Sequence, residues 1–245
     1  GVVPASEALT RSLNIPAIRE LQEFGLNRFL DILKKNGFTT FNYDSDYYGL
    51  PLILGGGEIT MYEGARAYAN LMNKAAGYNS PCPYSTGSAW LTIETLATGI
   101  RPDDEANWQS YTNSKKIAWK TGTSNGNRDA WAIGVTPQYT VAVWIGNASG
   151  KGNPDLKSVS TSAPVLFDIF STLPQTTWPA QPAEELTQQT VCKHSGYAAS
   201  FNCPETKTIL RSKNAMAAKL CPYCTTITLT PDGKYRASME DLSGD

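Results

Sequence analysis

The chain has 245 residues, 41% of them hydrophobic, and its 21 basic and 22 acidic side chains leave a net charge of -1. That is apolar material for one large domain, or for a medium domain with a small module. Neither sign of charge forms a long run and no stretch of about 18 apolar residues occurs, which excludes a nucleic-acid stripe, a polybasic membrane patch and a spanning helix.

Residues 5 to 36 place Leu9, Leu13, Ile18, Leu21 and Phe24, then Leu26, Phe29, Leu30 and Leu33, at helical spacing. Breaks are expected near Asn14-Ile15-Pro16 and at Gly25, and a stop at Gly37. After a turn at Gly55-Gly56-Gly57, Thr60 and Glu63 carry the spacing of a capping box, predicting a helix to about Asn73. A short third helix is predicted over 88–98, before Gly99. From Lys116 the period changes. Ile117 to Trp119, Ala130 to Val135 and Tyr139 to Ile145 are short β-branched and aromatic runs separated by turn residues, which predicts a three-stranded antiparallel meander. Their near-continuous apolar character requires cover on both faces, and 163–173, opened by Pro164, supplies one covering helix. The expected fold class is therefore α/β in the α+β sense, an antiparallel sheet covered by helices. Three parts are expected: 1–175 for the sheet and helices, a polar linker over 176–189 with Pro179 and Pro182, and a Cys-rich β module over 190–245. The module ends in an expected hairpin, 225–230 with 234–238 around Pro231-Asp232-Gly233.

Four of the five cysteines, Cys192, Cys203, Cys221 and Cys224, fall in this module, and Cys82 between Pro81 and Pro83 reads as a lone loop thiol. Cys221-Pro222-Tyr223-Cys224 copies a redox tetrapeptide, but the residues after it read as a strand rather than the activating helix. The spacing fits a tetrahedral zinc site and two disulfides equally well. The single histidine, His194, stands inside the cluster and reads as solvated. Any chemistry in the first part must then draw its base from Lys, Asp, Glu or Tyr, and a Ser-His-Asp triad is excluded there.

Two short phrases carry chemistry: Ser12-Leu13-Asn14 in the first helical stretch and Lys120-Thr121-Gly122 at the end of the first strand. Each alone is common by chance. Together with Leu54-Gly55-Gly56-Gly57-Glu58-Ile59-Thr60, with Thr123-Ser124 after the glycine, with Asp129-Ala130-Trp131 and with Val143-Trp144-Ile145-Gly146-Asn147, they resemble the transpeptidase domain of bifunctional, class A penicillin-binding proteins, over residues 1 to about 173. Asp129 and Trp131 themselves read as a turn carboxylate and a core indole. The phrase Cys192-Lys193-His194-Ser195-Gly196, with Cys203-Pro204 and Cys221, is similar to the tail of the 1C type. That likeness implies a metal ligand set at Cys192, Cys203, Cys221 and Cys224, with zinc as the reading taken and disulfides as the alternative.

The resemblance implies a partial penicillin-binding transpeptidase or serine β-lactamase-like fold and a D,D-transpeptidase that cross-links peptidoglycan stem peptides through a serine ester. No cofactor serves the chemistry. Ser12, Asn14 and Lys120 become catalytic candidates, and Thr121, Gly122 and Thr123 substrate-binding ones. A hydroxyl such as Ser12 can both accept and donate a proton, and Asn14 can pair with a substrate amide. Lys120, with the hydroxyls of Thr121 and Thr123, suits a terminal carboxylate, shared by D-Ala-D-Ala and β-lactam antibiotics, while Gly122 lets a backbone approach and the Thr123 N–H suits half an oxyanion hole. No serine in the chain has a lysine three positions on, so the Ser-x-x-Lys nucleophile is expected in a missing N-terminal part of the same protein, and this fragment alone is expected to be inactive. Location is expected on the periplasmic face of the inner membrane, with the anchor outside this chain. A serine β-lactamase and a non-catalytic penicillin sensor or structural domain are the alternatives; nucleic acid is not an expected partner.

Overall fold

The structure is a computed structural model and describes residues 2–102, 114–230 and 232–237. It divides into two compact units. The larger spans Pro4–Leu186 with Ser212–Asn214, and the smaller is built chiefly from Thr187–Arg211 and the residues from Ala215 on.

In the larger unit α1 (Ala5–Thr10), α2 (Asn14–Phe24) and α3 (Leu26–Lys35) come from the first helical stretch. The break expected near 14–16 lies instead at Arg11 to Leu13: Asn14 opens α2, and Pro16 falls in its first turn, where a missing N–H removes no helical bond. A one-turn helix, α4 (Ser45–Tyr48), and a 3-10 turn at Leu50–Leu54 follow; both are too short to show a period. Leu30, Phe41 and Leu52 bury together beneath this corner.

Helix α5 (Met61–Ala75) starts at the predicted capping box, with Thr60 Oγ1 accepting the Glu63 N–H at 3.1 Å and Glu63 Oε2 accepting the Thr60 N–H at 3.0 Å. The tertiary fold adds to it. Glu63 Oε1 also accepts the Thr39 N–H and hydroxyl, both at 2.7 Å. The backbone N–H of Thr60, then that of Thr39, are the main causes that hold this buried carboxyl down to about 2, from 4.5. A carboxyl depressed in the folded state stabilises the fold fully above its unfolded value and loses that contribution as pH falls through the folded one. Glu63→Gln is therefore expected to cost about 2 kcal/mol at neutral pH, from charge-assisted bonds. Urea midpoints of the two proteins should converge as pH drops from 4.5 towards about 2; a constant gap would show that the carboxylate charge is not what holds Thr39.

Helix α6 (Thr86–Ala97), capped by Ser85, precedes the meander. Strands β1 (Ala118–Thr123), β2 (Asp129–Val135) and β3 (Thr140–Gly146) pair antiparallel in the order β1-β2-β3, with Lys120 opposite Ile133 and Gly122 opposite Trp131. Strand alternation divides the cover. Ala118 and Val135 pack with Met72 of α5 and Ile93 and Leu96 of α6, while Trp119, Ala132 and Val143 pack with Leu166, Phe167 and Phe170 of α7 (Ser162–Thr172). The predicted second cover is thus α5 with α6. Lys115 Nζ donates to the carbonyls of Phe170, Ser171 and Leu173, placing a cation at the C-terminal end of α7.

The stretch 176–189, expected as a linker, is partly structured. Trp178 packs on the α5–α6 core and donates its indole N–H to Glu94, Trp90 Nε1 donates to Pro179 O at 3.3 Å, and β4 (Leu186–Cys192) opens inside the range. Its prolines and glutamines hide a strand whose buried residues come mostly at its ends. In the tail, β4 and β5 (Thr206–Ser212) form a two-stranded sheet that no local signal predicted. The final hairpin pairs Leu229 with Arg236, and the Thr230 N–H donates to Tyr235 O at 2.9 Å; its expected members Pro231 and Ser238 lie outside the described residues.

Candidate functional site

Helix α1 ends with the Ser12 N–H donating to Leu9 O at 3.1 Å and the Leu13 N–H to Ala8 O at 2.9 Å. This termination puts the first of the two in the left-handed region, a place usually given to glycine. Ser12 takes it with φ 54, at a cost of about 1 kcal/mol or more for a residue with a Cβ. Its hydroxyl receives the Lys120 ammonium, which also donates to Thr121 O at 2.8 Å. Two phrases 108 residues apart are thereby joined. Lys120 is half-buried, and that burial lowers its pKa from 10.5. Asn14 sits exposed at the first position of α2.

Among the described residues strand β1 is an edge of the sheet, and the Ser124 N–H donates to Asp129 O at 3.0 Å. By alternation the N–H and C=O of Thr123 turn to the open edge, where an extended peptide can add. Lys120 leaves the strand on the α5–α6 side, whereas Thr121 and Thr123, opposite Ala132 and Ala130, are on the α7 side. Gly122 is exposed, and a Cβ built there meets nothing within 4 Å, so no crowding by the protein requires its missing side chain. Sequence reasoning passed over Ser158, buried before α7 and bonded to both Gly122 and Thr123; it belongs to no motif, and only the fold brings it here. Asp129 accepts the Trp144 indole N–H at 3.0 Å, as a structural pair.

In the tail, the sulfur atoms of Cys192, Cys203, Cys221 and Cys224 all lie within 4.8 Å of one another, with Cys192 and Cys224 at 3.7 Å, and none is disulfide-bonded. Four thiolates around one zinc at about 2.3 Å would be about 3.8 Å apart, so the donor set fits a tetrahedral metal. Ser195 Oγ lies 3.1 Å from Cys221 Sγ, and the Ser200 N–H donates to Cys203 Sγ at 3.3 Å. The Ser195 hydroxyl, followed by its backbone N–H, draws Cys192 down to about 6, whereas burial pushes Cys224 up to about 12. His194 stands outside the set, exposed, with Nε2 3.8 Å from Glu205 Oε1. Cys82 is buried between α5 and α6, and burial raises its pKa.

No protein-family model matches the chain. It is 32% identical over 183 residues to penicillin-binding protein 1C of Escherichia coli (strain K12), covering 71% of this chain and 23% of that protein. It is 27% identical over 169 residues to penicillin-binding protein 1B of Vibrio cholerae, covering 60% of this chain and 21% of that one. The chain thus spans between a fifth and a quarter of the length of these relatives. The crystal structure of penicillin-binding protein 1A from Haemophilus influenzae superposes with a TM-score of 0.65 at 19% identity, covering 88% of this chain and 41% of that one, which shows a shared fold. The chain belongs to the penicillin-binding proteins, as a partial member with its likeness to the 1C type.

Proposed function

We propose that the larger unit supplies the substrate cleft of a serine-type peptidoglycan D,D-transpeptidase. The observation that carries this is the bond from Lys120 to Ser12 beside the open edge of β1. A stem peptide lies along that edge, with its terminal carboxylate at the Lys120 ammonium and the Thr121 hydroxyl. The serine of a Ser-x-x-Lys motif, which these residues lack, attacks the penultimate D-alanine carbonyl. The carbonyl oxygen takes up negative charge against the Thr123 N–H. As the peptide bond breaks, the departing D-alanine amine takes a proton through the Ser12 hydroxyl, and Asn14 holds the substrate amide. An amine of a second stem peptide then displaces the serine, forming the cross-link and freeing the hydroxyl. A β-lactam takes the same place, but its leaving amine stays tethered and the ester persists. Stem peptides and β-lactams are the partners, together with the part of the protein that carries the nucleophile. The substrate lies outside the cytoplasm, which puts the site at the periplasmic face of the inner membrane; among the described residues no helix is long and apolar enough to cross one.

The polypeptide that joins this chain to a Ser-x-x-Lys segment is expected to take a covalent label from fluorescent penicillin and to hold it through denaturation, while these 245 residues alone take none. A label mapped to a serine of this chain would overturn the reading. No label on the longer polypeptide would leave a sensor or structural domain, and rapid release of the acyl group a β-lactamase.

In the tail we infer one structural zinc on Cys192, Cys203, Cys221 and Cys224, because the structure gathers these thiols at the spacing a tetrahedral ion needs. These residues would hold the ion from β4, from the turn at Ser200 to Cys203 and from the Cys221–Cys224 pair, and it would supply a structural cross-link between those segments.

A further inference from the structure

Four thiolates on one divalent ion leave negative charge in excess, and Cys192 and Cys221 are buried, where charge is costly unless it is hydrogen-bonded. The two basic side chains beside Cys192 in sequence are turned to Glu205 instead, with Lys193 Nζ 2.7 Å and His194 Nε2 3.8 Å from its carboxylate. Neutral donors face the sulfur atoms. Cys192 Sγ accepts the backbone N–H of Ser195 and of His194, and Cys221 Sγ that of Tyr223 and of Cys224. Two hydroxyls join them. A cysteine that binds a metal has lost its proton, so the 3.1 Å contact between Ser195 Oγ and Cys221 Sγ has one direction, and the serine donates. Ser195 Oγ accepts the Tyr197 N–H at 3.4 Å in return. Ser200 Oγ, 3.3 Å from Cys203 Sγ, donates likewise beside its own N–H. The turn that carries Ser195 is closed by the Gly196 N–H on Cys192 O at 2.9 Å and the Cys192 N–H on Tyr197 O at 2.8 Å. The buried hydroxyl is thereby held against a sulfur 26 residues further on.

We propose that Ser195 and Ser200 are positioning residues for the tail metal, each giving its hydroxyl proton to a thiolate ligand. Ser195 carries the larger share, because it is buried and its bond crosses from the turn after β4 to the Cys221–Cys224 pair, fixing Cys221 relative to Cys192. Ser200 bonds a cysteine three residues away, within its own turn, so it orients one ligand without joining two segments. This rests on the zinc reading, since a protonated or disulfide-bonded cysteine would not need either donor.

The test uses the polypeptide that carries the acyl-accepting serine, loaded with zinc, or with cobalt(II) as a spectroscopic probe. In competition with a chromophoric chelator, Ser195→Ala is expected to weaken zinc binding about 10- to 100-fold, and Ser200→Ala by less. A thiolate that loses a hydrogen bond gives up electron density more readily, so the sulfur-to-cobalt charge-transfer band of Ser195→Ala should move to longer wavelength. The ligand-field bands should keep the intensity of a tetrahedral tetrathiolate. Ser195→Thr, which retains the hydroxyl, should restore the band and most of the affinity. A merely structural role would weaken binding through the folding of the module but leave the band of the loaded protein in place. That outcome, or a threonine variant whose band is shifted as far as that of alanine, overturns the proposal. If Ser195→Ala takes up no cobalt, Ser200→Ala decides: the loss of one hydroxyl at Cys203 should shift the band by itself, and an unshifted band overturns the proposal. A parent protein that binds neither zinc nor cobalt would instead overturn the metal reading itself.

Discussion

Lys120→Ala, made in the polypeptide that carries the nucleophile, is expected to slow β-lactam acylation by roughly 10- to 150-fold. That corresponds to the about 1.5–3 kcal/mol of a charge-assisted hydrogen bond lost in a desolvated site. The ammonium is half-buried and already directed, with Ser12 Oγ and Thr121 O as its two partners. A ligand carboxylate therefore meets a donor that needs little reorganisation. The substitution also leaves the Ser12 hydroxyl without its cationic neighbour, so the loss should appear in the rate constant as well as in binding. Lys120→Arg keeps the charge but spreads it over a planar fork, and an intermediate loss is expected. Burial lowers the Lys120 pKa. The deprotonated form therefore gains ground as pH rises at values below the ordinary 10.5, and acylation should decline there. Near-normal acylation by the alanine variant would show that Lys120 does not face the ligand.

Removal of zinc is expected to have the largest effect on folding. A module of this size cannot bury a large core, and structural zinc in small domains contributes about 10–16 kcal/mol of folding free energy at neutral pH. Residues that would otherwise be buried are exposed around the thiols: Phe201, Leu220 and Tyr223 are all on the surface of the smaller unit. A disulfide across only two intervening residues tends to be strained and labile, which disfavours the Cys221–Cys224 bridge as a staple. Elemental analysis should give one zinc per chain. Thiol counting in denaturant with chelator should give five free cysteines, the four tail thiols and Cys82. A chelator should abolish amide protection in β4 and β5 while β1, β2 and β3 keep theirs, and Cys221→Ser should do the same without it. No metal, with Cys82 as the one free thiol, would assign the module to two disulfides.

Much of this protein is written in local chemistry. The Thr60 and Glu63 pair specified the start of α5, because a capping box closes between residues three apart, and alternation with turn residues specified the meander of β1, β2 and β3. Lys120-Thr121-Gly122 and Cys221-Pro222-Tyr223-Cys224 were equally visible, since each motif lies in one short segment. What the segments meet was not visible. That Ser12 takes a left-handed conformation follows from how α1 ends and from its contact with Lys120, not from a serine's own preference. The third and fourth partners of Glu63 come from Thr39, 24 residues away, and α5 with α6 became the second cover only once the sheet existed to be covered. The linker hid Trp178 because a lone indole among prolines has no period, though it finds Glu94 and Lys116 across the fold. Ser158 is the extreme case: a hydroxyl in an irregular segment carries no pattern, and it meets Gly122 and Thr123 only because α7 packs under β1 and brings it within hydrogen-bonding distance of them.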